Sequence, residues 1–175
     1  ELMARDSPDL DLYRPWDLAP DAAIQLAIEC EDVARAFDPR IVNSEGASVS
    51  THTGLHIYGN SLGFVAGYPS TRHGLSCAVV AQDGDSMQRD YWWTTARAAA
   101  DLESPQAVGR RAGERTVARL GARQIPTQRA PVLFSPLTAA GLLRSLTAAI
   151  SGSSLYRRSS FLLDRIDTRL FPDFV

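Results

Sequence analysis

The chain has no lysine; all 18 of its basic residues are arginine, which reads as genome composition and not as function. Cysteine is almost as scarce. Cys30 and Cys77 lie far apart in the chain without metal-ligand spacing, so they read as two buried free thiols in a reducing compartment. No apolar run approaches the roughly 20 residues of a membrane span, and no signal-peptide pattern opens the chain. There is no Gly-x-x-x-x-Gly-Lys phosphate loop, no Gly-x-Gly-x-x-Gly and no Gly-x-Ser-x-Gly nucleophile elbow, which argues against nucleotide binding and serine hydrolysis. Excess charge is missing too. A net charge of −2 and a pI near 5.9 give no bulk attraction to nucleic acid or an anionic membrane.

Histidine is limited to three positions. His52 and His56 are four apart, but Gly54 between them and a strand context exclude the helical pair of a zinc peptidase, leaving surface or hydrogen-bonding roles. His73 follows Arg72 near an expected proline turn, where a structural hydrogen bond is the reading. Arg110, Arg111, Arg115, Arg119 and Arg123 spread around much of a helix and read as a solvated face, not a groove contact with nucleic acid.

What is present is ample for a core: 45% of the 175 residues are hydrophobic, enough for one domain or for one plus part of another. Residues 1–19 are polar and proline-punctuated, a tail or linker whose end Tyr13, Pro15 and Trp16 should pin. The start at Glu1 gives the expectation of a fragment. A middle α+β domain is expected over 20–125. Pro20-Asp21 opens its first helix, with Ala23, Leu26, Ala27, Cys30, Ala34 and Phe37 on one stripe. Ile41 to Thr95 reads as an antiparallel β-meander, with Gly59-Asn60 and Asp83-Gly84 as its turn pairs. Trp92 and Trp93, adjacent on a strand, must face opposite sides. Ser104-Pro105 caps a second helix that turns Val108, Ala112, Val117 and Leu120 inward, carries an Arg110–Glu114 pair outward and stops at Gly121. After the polar connector Gln124–Ala130, residues 126–175 are expected to start another domain. Val132–Phe134 is its strand, Ser135-Pro136 opens its helix, and Leu142, Leu143, Leu146 and Ile150 face a core.

From Ser151 to Asp164 the chain runs Ser-Gly-Ser-Ser-Leu-Tyr-Arg-Arg-Ser-Ser-Phe-Leu-Leu-Asp, and this stretch resembles the signature of the TldE branch of the TldD/PmbA family. Asn43–Gly46, Gly59–Ser61, Gly67–His73 and Arg89–Tyr91 also resemble the family pattern, in the same order, so the likeness covers about Asp11 to Val175. It implies an α+β fold, an antiparallel β-meander flanked by helices and followed by the start of a β-rich C-terminal domain. It also implies a cytoplasmic, heterodimeric zinc peptidase in which the TldD subunit holds the metal on a His-Glu-x-x-x-His helix. Laid on this chain, those positions fall at Arg144, Ser145 and Ala149. A permanent cation and a methyl group cannot bind zinc, so no cofactor is expected in this chain and zinc is expected in a TldD-like partner.

The function implied is thus the non-metal subunit of a peptidase that cleaves unfolded peptides, in peptide-antibiotic maturation and antitoxin degradation. The chain by itself would be inactive. Tyr156, Arg157 and Arg158, in the loop after the helix, would contact peptide or partner, or simply order the loop. The rival reading is a non-catalytic binding protein that modulates DNA gyrase or its inhibitors; a self-sufficient hydrolase is the third. No membrane or direct nucleic-acid partner is expected.

Overall fold

A computed structural model describes residues 3–172. They fall into two compact units that divide between Gln124 and Ile125, each described by itself. The first unit is built in the order α1 (Pro20–Ala36), β1 (Ile41–Gly59), β2 (Val65–Asp83), β3 (Ser86–Ala96), a 3₁₀ turn (Ala99–Asp101) and α2 (Pro105–Ala118). The three strands form one antiparallel sheet in the order β1-β2-β3, the expected meander.

Local chemistry sets these boundaries. Pro20 sits in the first turn of α1, where its missing N–H costs nothing, and Asp21 meets the positive end of the helix dipole. Ser104 caps α2 by accepting the Ala107 N–H at 3.2 Å. Gly84, at φ +57°, opens the tight loop between the paired residues Asp83 and Ser86. The other turn is longer than Gly59-Asn60 implied. Gly59 still pairs with Val65, the Asn60 side chain accepts the Leu62 N–H at 3.0 Å, and the positive φ falls on Gly63.

One face of β2 makes the core. Leu75, Cys77, Val79 and Ala81 are buried there with Cys30 and Ala34 of α1 and Val108 and Ala112 of α2; Trp92 packs against the cluster. Trp93, opposite Ser76, lies on the other, open face with Tyr91 and Ala78. The two helices cross almost backbone to backbone. A Cβ added at Gly109 would lie 2.2 Å from the carbonyl oxygen of Cys30, and one at Gly113 would lie 2.7 Å from the Cβ of Phe37.

β3 ends opposite His73, so the far half of β1 and β2 continues as a two-stranded arm with Leu55, Ile57 and Val65 exposed. Pro69 lies inside this arm, opposite Leu55, and not in a turn. Thr71, two residues on, sends its N–H away from β1 to the Leu12 carbonyl at 3.0 Å; by the two-residue period the missing N–H of Pro69 faces the same unladdered edge.

In the second unit α3 (Pro136–Ala149) is followed at once by a short helix, α4 (Gly152–Tyr156), capped by Ser151. Two expectations fail here. Val132–Phe134 is irregular, with Leu133 98% exposed; among the described residues it has no strand beside it, and a lone strand cannot satisfy its backbone. The α3 stripe is not in a core: Leu142, Leu143 and Ile150 are exposed, and Ala149 is the helix's buried residue. Among the described residues no helix is long and apolar enough to cross a membrane.

Candidate functional site

The corner between α3 and α4 carries the residues singled out from the sequence. Arg144 and Ser145 are exposed on α3, and Ala149 is buried one turn further on. The Ser145 hydroxyl donates to the Gly141 carbonyl at 3.0 Å. The short helix then ends at Tyr156. Arg157 caps it and returns its Nε–H to the Ser153 carbonyl at 3.3 Å; Arg158 takes the left-handed φ of +55° that often ends a helix. Buried Ser160 ties the loop back to α3 by donating to the Ala149 carbonyl at 2.7 Å and accepting the Leu162 N–H at 3.0 Å. The Tyr156 ring is left 91% exposed. The corner therefore presents an aromatic ring and two guanidinium groups from an ordered turn.

The histidines are not brought together. His52 and His56 lie on the exposed arm, where His56 stacks on Tyr68 with ring centroids 5.0 Å apart. His73 stands inside β2, 1% exposed, and not beside a turn. Its Nε2 is 2.9 Å from the Arg14 carbonyl oxygen, which can only accept, so Nε2 carries the proton and Nδ1 accepts from the Thr51 hydroxyl at 2.8 Å. Trp16 meets the ring edge-on. His73 and Thr71, whose hydroxyl oxygen accepts the Arg14 N–H at 2.9 Å, thus bind the N-terminal segment to the sheet. Among the described residues no group of three or more His, Cys, Asp or Glu could hold a metal ion.

The helical arginines are not simply a solvated face. Arg111, Arg115 and Arg119 follow one another at one-turn spacing toward β3. The Arg111 guanidinium lies 4.4 Å and that of Arg115 5.5 Å from the Trp92 ring centre. Arg115 and Arg119 both reach buried Asp90, at 3.2 and 3.6 Å. The Trp92 indole N–H donates to Glu103 at 3.1 Å, closing a network that joins α2 to the sheet. Nothing in the spacing pointed to Asp90 or Glu103, since both lie outside the helix. Arg89 and Glu45 pair across the open face with two bonds of 2.6 Å.

Comparison with known proteins fits this architecture. Residues 13–120 match the PmbA/TldA metallopeptidase central domain and residues 127–175 its C-terminal domain. The two matches define a chain with two domains of one family, and it belongs to the PmbA/TldD family. It is 46% identical over its whole length to Metalloprotease PmbA of Escherichia coli O157:H7, and 43% identical over 99% of its length to the Metalloprotease PmbA homolog of Haemophilus influenzae. It spans 39% of the length of each of these curated relatives. Two solved structures share the fold. One, from Thermotoga maritima, is described as a modulator of a DNA gyrase (TM-score 0.81, 23% identity, 91% of this chain and 37% of that one). The other is TldE of Thermococcus kodakarensis (TM-score 0.69, 18% identity, 91% and 35%).

The family's metallopeptidase name implies a metal, and the α3 positions do not fit one. A guanidinium repels a cation, the Ser145 hydroxyl is engaged with its own helix, and Ala149 has no donor atom.

Proposed function

We propose that this chain is part of the non-metal subunit of a heterodimeric zinc peptidase, whose TldD-like partner carries the metal on a His-Glu-x-x-x-His helix. What carries the reading is α3: it lies within the segment matched by a metallopeptidase domain, yet has no zinc donors at Arg144 and Ala149. Relatives named metalloprotease support the peptidase class. In this reading the pair works in the cytoplasm on unfolded peptides, in peptide-antibiotic maturation or antitoxin degradation. Extended chains suit such a site because strand addition reads backbone hydrogen bonds and tolerates varied side chains. Tyr156, Arg157 and Arg158 would meet the peptide or the partner, the guanidinium groups gripping a carboxylate and the ring covering apolar surface.

The test is to co-express the full-length protein with a His-Glu-x-x-x-His subunit, purify the pair and follow cleavage of an unfolded peptide. Cleavage should need both chains, stop with chelator and return with zinc. Cleavage indifferent to the partner's metal would overturn the proposal. The second reading, a non-catalytic protein acting on DNA gyrase or its inhibitors, is favoured by the description of the Thermotoga maritima fold neighbour. Tight gyrase binding without any cleavage would establish it instead.

A further inference from the structure

The N-terminal segment and the arm of the sheet enclose a slot. The segment is tied at both ends. The Asn60 side-chain amide donates to the Ala4 carbonyl at 3.0 Å near the tip, and the Thr71 N–H donates to the Leu12 carbonyl at 3.0 Å near the base. It therefore runs parallel to β2, tip to base, along the edge that β3 leaves free beyond His73. Between the ties it stands off and leaves a cavity of about 470 Å³, lined by residues 7–13 on one side and 67–69 on the other. That volume lies in the range of ligand pockets.

Local chemistry keeps the two sides from closing on each other. Pro8 has no N–H to give, and the Asp11 N–H is turned back to the Asp9 carboxylate at 2.9 Å, with Asp11 at a left-handed φ of +51°. Across the slot, Pro69 lacks the N–H that would face the segment. Thr71 faces this edge, so by the two-residue period the Gly67 N–H and the carbonyls of Gly67 and Pro69 face it too. Among the described residues, no hydrogen bond from the N-terminal segment reaches these three groups. The charged residues that line the slot are Asp9 and Asp11; Arg14 pairs with Asp11, which leaves Asp9 to set the local charge.

We propose that this slot binds an extended peptide segment carrying a lysine or arginine, which adds as a strand to the free edge of β2 at Gly67–Pro69. Only an extended main chain offers N–H and C=O groups at the spacing these residues present; a helix keeps its own engaged. The peptide accepts from the Gly67 N–H and donates to the carbonyls of Gly67 and Pro69, and its basic side chain meets Asp9. Gly67 has no side chain to crowd the incoming strand. Binding here involves this chain alone and no metal, so it goes beyond the peptidase reading. Loss of cleavage leaves the slot standing, and lack of binding leaves the peptidase reading standing.

The test uses the full-length protein without its partner. The probe is a fluorescein-labelled peptide of about ten residues, alternating threonine and valine around one central arginine, read by anisotropy. A twin N-methylated at two adjacent central amides, which blocks both edges of the strand, should bind about tenfold more weakly or worse. A twin with glutamate for the arginine should bind about threefold more weakly, and Asp9→Asn, which keeps the acceptor for the Asp11 N–H, should remove that difference. Cys30 and Cys77 are buried, so benzophenone maleimide on Leu10→Cys labels the slot and should capture the peptide on illumination. Absence of binding, equal binding of either twin, or no capture from residue 10 would each overturn the proposal. The comparison of the N-methylated twin uses the unaltered protein, so it decides even if a variant fails to fold.

Discussion

Gly109→Ala puts the helix crossing to a direct test, because two effects of opposite sign compete there. In the interior of an exposed helix, replacing glycine by alanine stabilises by about 1 kcal/mol. At Gly109 the new methyl carbon would lie 2.2 Å from the Cys30 carbonyl oxygen and 3.2 Å from the Ala34 nitrogen. Both are main-chain atoms, and the first distance is far inside the roughly 3.5 Å at which non-bonded heavy atoms rest. No side-chain rotation relieves it, so α1 must move off α2 and lift Cys30 and Ala34 out of the packed cluster. Overpacking of this kind costs about 1–3 kcal/mol, and the lack of any soft neighbour places Gly109 at the upper end. Setting about 3 against about 1 leaves a net destabilisation of about 2 kcal/mol. The control is Gly141 in α3, where an added Cβ meets nothing within 4 Å; alanine there should stabilise by up to about 1 kcal/mol. Urea unfolding of the two variants beside the parent gives both numbers. If Gly109→Ala is neutral or stabilising, the close crossing of α1 and α2 is wrong.

Three further outcomes follow from the same geometry. Asp90→Ala removes the buried carboxylate that Arg115 and Arg119 share, in a site where the Arg115 Nε is already enclosed without a hydrogen-bond partner; a loss of about 1–3 kcal/mol in urea unfolding is expected. His73→Ala breaks the bonds to Thr51 and to the Arg14 carbonyl, so limited chymotrypsin digestion should cut after Tyr13 well before it cuts in the sheet; an unchanged digestion pattern counts against the latch. Asp38 is held down to about 2 from its ordinary 3.8, first by the side-chain hydrogen bond from Arg40 and then by the Arg40 backbone N–H. Because its folded value is depressed, its contribution to stability is present above about pH 4 and is lost as pH falls toward 2. Asp38→Asn should flatten that part of the stability-versus-pH curve, and parallel curves for the two proteins would refute it.

The elements themselves were largely legible. Proline and serine at helix starts, Asp83-Gly84 between apolar runs and the opposed faces of Trp92 and Trp93 are local rules, and local rules survive folding. What escaped was long-range. A glycine inside a helical pattern reads only as a cost, so nothing marked Gly109 and Gly113 as the crossing point. His73 read as a residue beside a turn, and the arginines of α2 as a solvated face. Each acquires its role from a partner dozens of residues away. The apolar stripe of α3 teaches the converse: periodicity shows that a helix has a face to cover, but not what covers it. The family likeness was readable because short motifs recur in a fixed order. Their geometry was not, and the turn built by Arg157 and Arg158 emerges only from the coordinates.

β1 and β2 run 19 residues each, about 60 Å, and their ladder is unbroken from the Gly46–Ala78 pair to the Gly59–Val65 pair, while β3 and the two helices brace only the other end. Mechanically that is a cantilever. Whatever leans on its tip near Leu62 bears, with no hinge between, on the same central strand that carries His73 and Cys77.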